Sequence, residues 1–225
     1  FLFVKGSSKK NKEKKGIISK SYLELIRTFK ELKKYKQIVR FLFARIIYND
    51  ALITVIAFGG PYAYTQFGFD MDTNGKLMIF AIVLNVFAGI GAFLFGFIDD
   101  YIGGKKTIQL TNAGFVIALV IAFLAPIIKN GELYFWLSGI LIGIFMGPNQ
   151  AASRSFMGRL IPDNKENEFY GFFAFSGKAT AFLGPMLFTV VVSYTDSMRL
   201  SLLMLAFLFL IGIFLLRKVS DPQIN

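Results

Sequence analysis

The sequence has no histidine and no cysteine. Without them an imidazole general base, a Ser-His-Asp triad, a thiolate nucleophile, a disulfide and the usual zinc site are all excluded, so most hydrolytic and redox chemistry is out and no cofactor or metal is expected. Charge is scarce too, at 17% of residues against about 25% in an average globular chain. Acids are the scarcer sign: 14 Asp and Glu face 25 Lys and Arg, for a net charge of +11. What the chain does have is apolar surface, with 55% hydrophobic residues, 16% aromatics, 27 of them Phe, and a mean hydropathy of +0.57 over its 225 residues. These residues do not recur at helical or strand period. They come in long, nearly uncharged blocks.

A bilayer core about 30 Å thick requires about 20 consecutive apolar residues in a helix, since the backbone finds no water there to bond. Six stretches meet that demand, at 41–65, 77–98, 107–128, 133–153, 169–194 and 198–216. Short connections at 69–75, 99–106, 129–132, 154–168 and 195–197 carry turn residues. The expected fold class is all-α: a polytopic membrane protein, an up-and-down bundle of six transmembrane helices. Most Lys and Arg fall in 1–40, in 99–106, in 154–168 and after 216, which all lie on one side of such a bundle. The positive-inside rule makes that side cytoplasmic and places both termini there. Membrane orientation therefore accounts for the basic charge, and no nucleic-acid partner is needed.

Ahead of the bundle, Phe1-Leu2-Phe3-Val4 reads as the end of a preceding span, so residues 1–4 imply at least one span upstream. Residues 5–40 read as a basic cytoplasmic loop, 41–216 as the bundle and 217–225 as a tail. Within the loop, 19–37 has an amphipathic pattern. Ser21 and Glu24 show capping-box spacing, and Tyr22, Leu25, Ile26, Phe29 and Leu32 share a face. Such a helix would lie on membrane lipid, the alternative being a solvated linker.

Two sets of motifs carry a resemblance. Gly96-Phe97-Ile98-Asp99-Asp100-Tyr101-Ile102-Gly103-Gly104-Lys105-Lys106 resembles the cytoplasmic loop signature of the major facilitator superfamily, with Tyr101 where that family usually has Arg. Further on, Gly147-Pro148-Asn149-Gln150, Ser153-Arg154-Ser155, Leu160-Ile161-Pro162, Glu168-Phe169-Tyr170-Gly171, Ser176-Gly177-Lys178 and Gly184-Pro185 resemble one branch, the autophagy-related vacuolar-effluxer-like transporters and their bacterial relatives. Tyr48-Asn49-Asp50 with Thr54 and Gly59-Gly60 is similar to the seventh span of that branch. The resemblance covers about 41–216. It implies spans seven to twelve of a twelve-span fold, a missing N-terminal six-helix half of the same protein, and a bacterial inner membrane or, alternatively, a vacuolar one.

Charge at bilayer depth costs roughly 2.5–3.5 kcal/mol on insertion scales, so it should face protein or a watery cavity. Spans three and six carry no ionisable residue in their central portions, which matches the peripheral, lipid-facing helices of the superfamily. The other four hold Asp50, Asn49, Thr54, Asn85, Asn149, Gln150 and Lys178, the candidate substrate and coupling residues. Asp50 and Lys178 each lie about 14 Å into their spans at 1.5 Å per residue. They either form an ion pair or bind opposite charges of a zwitterionic solute, and protonation of Asp50 offers proton coupling; a purely structural pair is the alternative. Arg45 is shallow enough to snorkel to the interface and receives no transport role.

Gly60-Pro61, Gly147-Pro148 and Gly184-Pro185 are candidate hinges, since each Pro removes a backbone hydrogen bond from a helix. Gly89, Gly91 and Gly96, with Gly139, Gly143 and Gly147, space small residues for close helix packing. Asp100, Lys105, Lys106, Ser153, Arg154 and Arg159 offer polar and oppositely charged groups at the cytoplasmic mouth and by resemblance form a gate, with Asp100 and Arg154 favoured. Gly103-Gly104-Lys105-Lys106 lacks the spacing of a nucleotide-binding loop, so ATP is not the expected energy source. The expected function is secondary active transport of a small solute, amino acids first among them, by alternating access. A channel-like or structural membrane protein is the alternative. A membrane enzyme would need an acid and base clustered near an interface, and Asp99 with Asp100 is a poor basis for one.

Overall fold

The computed structural model describes residues 34–73, 75–162, 165–179 and 181–221. Among them the chain forms α1 (Lys36–Phe67), α2 (Lys76–Ile102), α3 (Gly104–Leu124, followed by a 3-10 turn at Ala125–Ile127), α4 (Gly131–Leu160), α5 (Glu166–Ala179), α6 (Leu183–Thr195) and α7 (Met198–Arg217). These make 6 stretches long and apolar enough to cross a membrane, with α5 and α6 jointly supplying one. Helices are the required solution, because each backbone N–H and C=O must find its partner within its own segment. Most of the amphipathic stretch expected at 19–37, and the expected span end at 1–4, lie outside the described residues.

The helix ends follow from local chemistry. Gly68, at φ 65°, closes α1 by returning its N–H to the Tyr64 carbonyl at 3.0 Å. Gly103, at φ 84°, closes α2 in the same manner on Asp99 at 2.9 Å. No breaker precedes Gly103, so α2 runs through Asp99 and Asp100, which the sequence reading placed in a loop. Likewise α4 continues past Ser153 to Leu160, and stops where Ile161 turns extended ahead of Pro162. That is the conformation a residue before proline is driven to adopt.

The fifth span departs most from the expected single helix over 169–194. It is two helices, α5 and α6, separated by a turn at Ala181 and Phe182. Pro185 is the third residue of α6, a first-turn position where no N–H is required, so the ring that would disrupt a helix interior instead opens a new helix. Pro61 and Pro148, by contrast, sit inside continuous α1 and α4.

Packing is closest between α2 and α4. A Cβ on Gly143 would lie 2.6 Å from the Leu84 carbonyl oxygen, and one on Gly147 would lie 2.8 Å from that of Ala88, so the two backbones touch where glycine permits it. Helices α3 and α7 pack through stacked Phe115 and Phe209, with centroids 4.8 Å apart. Tyr48 of α1 lies against Gly212 of α7. At one end of the bundle, α1 begins beside the end of α7: Gln37 exchanges hydrogen bonds with Ser220 at 3.0 Å, and Arg40 donates to the Lys218 carbonyl at 3.3 Å. We refer to this as the tail end. At the far end Phe67, Phe69, Phe80, Phe135 and Trp136 form an aromatic cluster, beside a Lys76–Glu132 ion pair at 2.6 Å. Ile79, Ile82, Val86, Ile90 and Phe93 stay exposed on α2, as do Phe175, Phe182 and Met186 on α5, the turn and α6.

Candidate functional site

Asp50 lies in the middle of α1 and is only 5% exposed. Its Oδ2 accepts a hydrogen bond from the backbone N–H of Gly184, in the first turn of α6. Two features of the sequence produce this contact. The break before α6 frees first-turn N–H groups that a continuous helix would have used, and Gly184 has no side chain to hold α1 away. A Cβ there would lie 2.9 Å from the Asp50 carbonyl oxygen. Thr54 donates its hydroxyl to that same carbonyl at 2.7 Å and is buried. The Asp50 Oδ1 atom is buried without a hydrogen-bond partner. Asn49 is half-buried beside it on α1.

Asp50 and Lys178 do not form an ion pair: the carboxylate faces Gly184, and Lys178 is exposed at the end of α5. The direct pair, whether functional or purely structural, is therefore absent between these two described residues.

Nearer the tail end, Arg45 overturns the snorkelling expected of it. It is 8% exposed, and its guanidinium carbon lies 3.7 Å from the centre of the Phe173 ring. Nη1 donates to the Phe173 carbonyl at 3.1 Å and to the Ser176 hydroxyl at 3.2 Å. The side chain turns inward because α5 supplies an aromatic face and two acceptors on one turn, a coincidence of tertiary packing with no signal in α1 itself.

One turn on, Tyr48 and Ser153 share a hydrogen bond at 2.8 Å, and Ser153 donates to the Asn149 carbonyl at 2.6 Å. Asn149 Nδ2 donates to Thr111 Oγ1 at 2.8 Å and Asn112 Oδ1 at 2.9 Å. This buried chain links α1, α4 and α3, and it turns Asn149 toward α3. Thr111 and Asn112 were not anticipated as members. Gln150 is the exposed neighbour on α4.

Toward the far end, a cavity of about 380 Å³ is lined by Val55, Phe58, Gly60, Asn85, Ser138 and Phe188, among other mostly apolar residues. Asn85 is exposed and donates to the Ala81 carbonyl at 2.8 Å, one turn back on α2. Gly60 thus borders the cavity with Pro61 beside it.

At the tail end the ion pair that forms joins Arg159 to Asp99 at 2.9 Å, with side chains 22% and 15% exposed, and Arg159 also donates to Ser155 at 2.7 Å. The favoured Asp100 and Arg154 are exposed, as is Lys106; of the expected gate residues Arg159 enters the ion pair, with Asp99 in the place of Asp100. Lys105 ties the start of α3 to the end of α7, donating to the Val219 carbonyl at 2.6 Å. Asp99 points inward because α2 remains helical to Ile102, a register the loop reading could not supply.

Among the described residues, six apolar spans in up-and-down order, the fifth broken opposite a buried carboxylate, define an integral, multi-pass membrane protein with the architecture of half a major facilitator fold. The chain belongs to the family described as vacuole effluxer Atg22 like, whose profile matches residues 1–223. It is 29% identical over 211 residues to the "Uncharacterized MFS-type transporter YxiO" of Bacillus subtilis, covering 93% of this chain and 47% of that protein. It is 28% identical over 218 residues to autophagy-related protein 22-1 of Aspergillus clavatus, covering 92% of this chain and 35% of the relative. With the Aspergillus niger protein of the same name the figures are 26% over 219 residues, 89% and 34%. The chain thus spans less than half the length of these relatives.

Proposed function

We propose that the chain is the C-terminal half of a secondary transporter that moves a small solute by alternating access, with amino acids the first substrate class to test. The observation that carries this reading is the break in the fifth span, with the Asp50 carboxylate resting on the new helix start at mid-bundle. A discontinuous helix and a buried charge are expensive in a membrane and recur where transporters hold solutes or ions. The family's description as effluxers and the relatives' names point the same way. The exposed apolar faces of α2 and α5–α6 are the surfaces that an N-terminal six-helix half would cover, leaving α3 and α7 at the back against lipid. On this reading the tail end faces the cytoplasm, Asp99–Arg159 belongs to the gate on that side, and the membrane is a bacterial inner membrane.

Counterflow in proteoliposomes containing the full-length parent tests the proposal. Vesicles loaded with neutral amino acids should accumulate labelled leucine, and an imposed pH gradient should change the extent if Asp50 couples protons. Absence of exchange by a folded protein removes amino acids as substrates, and absence across a wider solute panel removes the carrier reading.

A further inference from the structure

We propose that Arg45 anchors an anion subsite that takes the carboxylate group of the transported solute; this rests on the carrier reading above and deepens it. A guanidinium buried in a membrane bundle ordinarily has an acid beside it. Arg45 has none: no ion pair among the described residues, such as Lys76–Glu132 or Arg159–Asp99, involves it. Asp50, further along α1, is turned to Gly184.

What surrounds Arg45 orients the charge without neutralising it. The Phe173 ring covers one face, and Phe173 and Ser176 accept from Nη1 alone. Nε is buried with no acceptor, and Nη2 makes no hydrogen bond. These two nitrogens form the other edge of the planar guanidinium, the fork that matches two carboxylate oxygens. Gly177 borders the adjoining Nη1–Nη2 edge and leaves the Nε side uncrowded: a Cβ there would lie 2.9 Å from Nη1 and 3.2 Å from Nη2. A further charge nearby has the same sign. Arg154 is within electrostatic reach of Arg45 and is exposed. Two like charges with no acid paired to either among the described residues favour an anionic guest, and a two-pronged edge favours a carboxylate. The site is closed in this structure, as an alternately exposed site must be in one of its conformations.

The test uses the purified full-length parent in detergent. Thermal-shift titrations at constant ionic strength compare acetate, 4-methylpentanoate, L-leucine and L-glutamate with the matching amides. At least one carboxylate should stabilise the protein where its amide does not. Arg45→Gln should weaken that carboxylate about 30-fold or more, while Arg45→Lys retains part of the affinity. Gly177→Ala pushes on Nη1 and Nη2, shifting the guanidinium and one prong of the fork without removing the charge, and should also weaken binding, so the proposal stays testable if Arg45→Gln fails to fold. Equal stabilisation by acids and amides, or wild-type binding by the folded variants, overturns it. The two proposals fail separately. Leucine counterflow that persists with unchanged KM in Arg45→Gln leaves the carrier and removes the subsite. Arg45-dependent binding of 4-methylpentanoate without leucine counterflow leaves the subsite and removes amino acids.

Discussion

The carboxylate of Asp50 accepts the backbone N–H of Gly184, so a charged side chain at the centre of one span caps a helix that starts at the centre of another. Asp50→Asn keeps an oxygen for that N–H and should change unfolding stability by less than about 1 kcal/mol, whereas Asp50→Ala leaves the donor unpaired and costs about 1–3 kcal/mol. Thermal unfolding of the full-length parent in detergent separates the two. Under the proposed coupling role, Asp50→Asn should also remove the response of solute accumulation to a pH gradient. A response equal to wild type would take Asp50 out of the coupling step.

Backbone contact between α2 and α4 depends on Gly143, where a Cβ would meet the Leu84 carbonyl at 2.6 Å. A carbonyl on a packed helix cannot swing away as a side-chain tip can. Gly143→Ala should therefore destabilise the protein by about 1–3 kcal/mol, the usual cost of overpacking. Gly59→Ala, where nothing lies within 4 Å of the added atom, is the matched control. Equal midpoints for the two variants would contradict the close approach.

Asp99 and Arg159 make a partly buried pair between the ends of α2 and α4. A double-mutant cycle with Asp99→Asn and Arg159→Gln should return a coupling energy of about 0.5–3 kcal/mol, above that of an exposed pair. The same cycle on Asp100 and Arg154 should give a coupling near zero in this conformation, since both are exposed and the structure contains no ion pair between them.

In the loop between α1 and α2, Asp70 accepts the Thr73 hydroxyl at 2.7 Å and the Asp72 N–H at 3.1 Å, which holds its carboxyl below the usual range. The stabilisation this supplies is present above the unfolded value of about 3.9 and is lost as pH falls through the lower folded value. Thr73→Val removes the largest cause and should move the Asp70 titration upward, read by NMR of carboxyl-labelled aspartate. An unmoved titration would assign the shift to the backbone donors.

Much of this was legible in the chain. Blocks of about 20 apolar residues can be satisfied in a bilayer only as helices, so the spans at 77–98 and 198–216 fall within α2 and α7. The glycines at 143 and 147 announced a close crossing, because small residues at that spacing have little other use in a membrane helix. Arg45 departs from the snorkelling expectation because depth in a helix is the only guide the sequence offers, and depth says nothing about whether a neighbouring helix offers acceptors. Asn149 lies on α4 where expected, yet its amide faces α3, a direction set by rotation about the helix axis. Pro185 signalled a disturbance without saying whether it would be a kink or a full break; the structure shows a break.

The hydrophobic requirement acts on each segment alone, so the order of apolar blocks is enough to make the chain a membrane bundle of six helical spans in up-and-down order. The same requirement sets where polar groups are costly. Only the tertiary structure decided which of those groups meet: Asp50 with Gly184 and apart from Lys178, Arg45 with Phe173, Asp99 with Arg159. The reason is physical. Pairing depends on the rotation and translation of one helix against another, which are set by packing across several spans at once and not by any local run of residues.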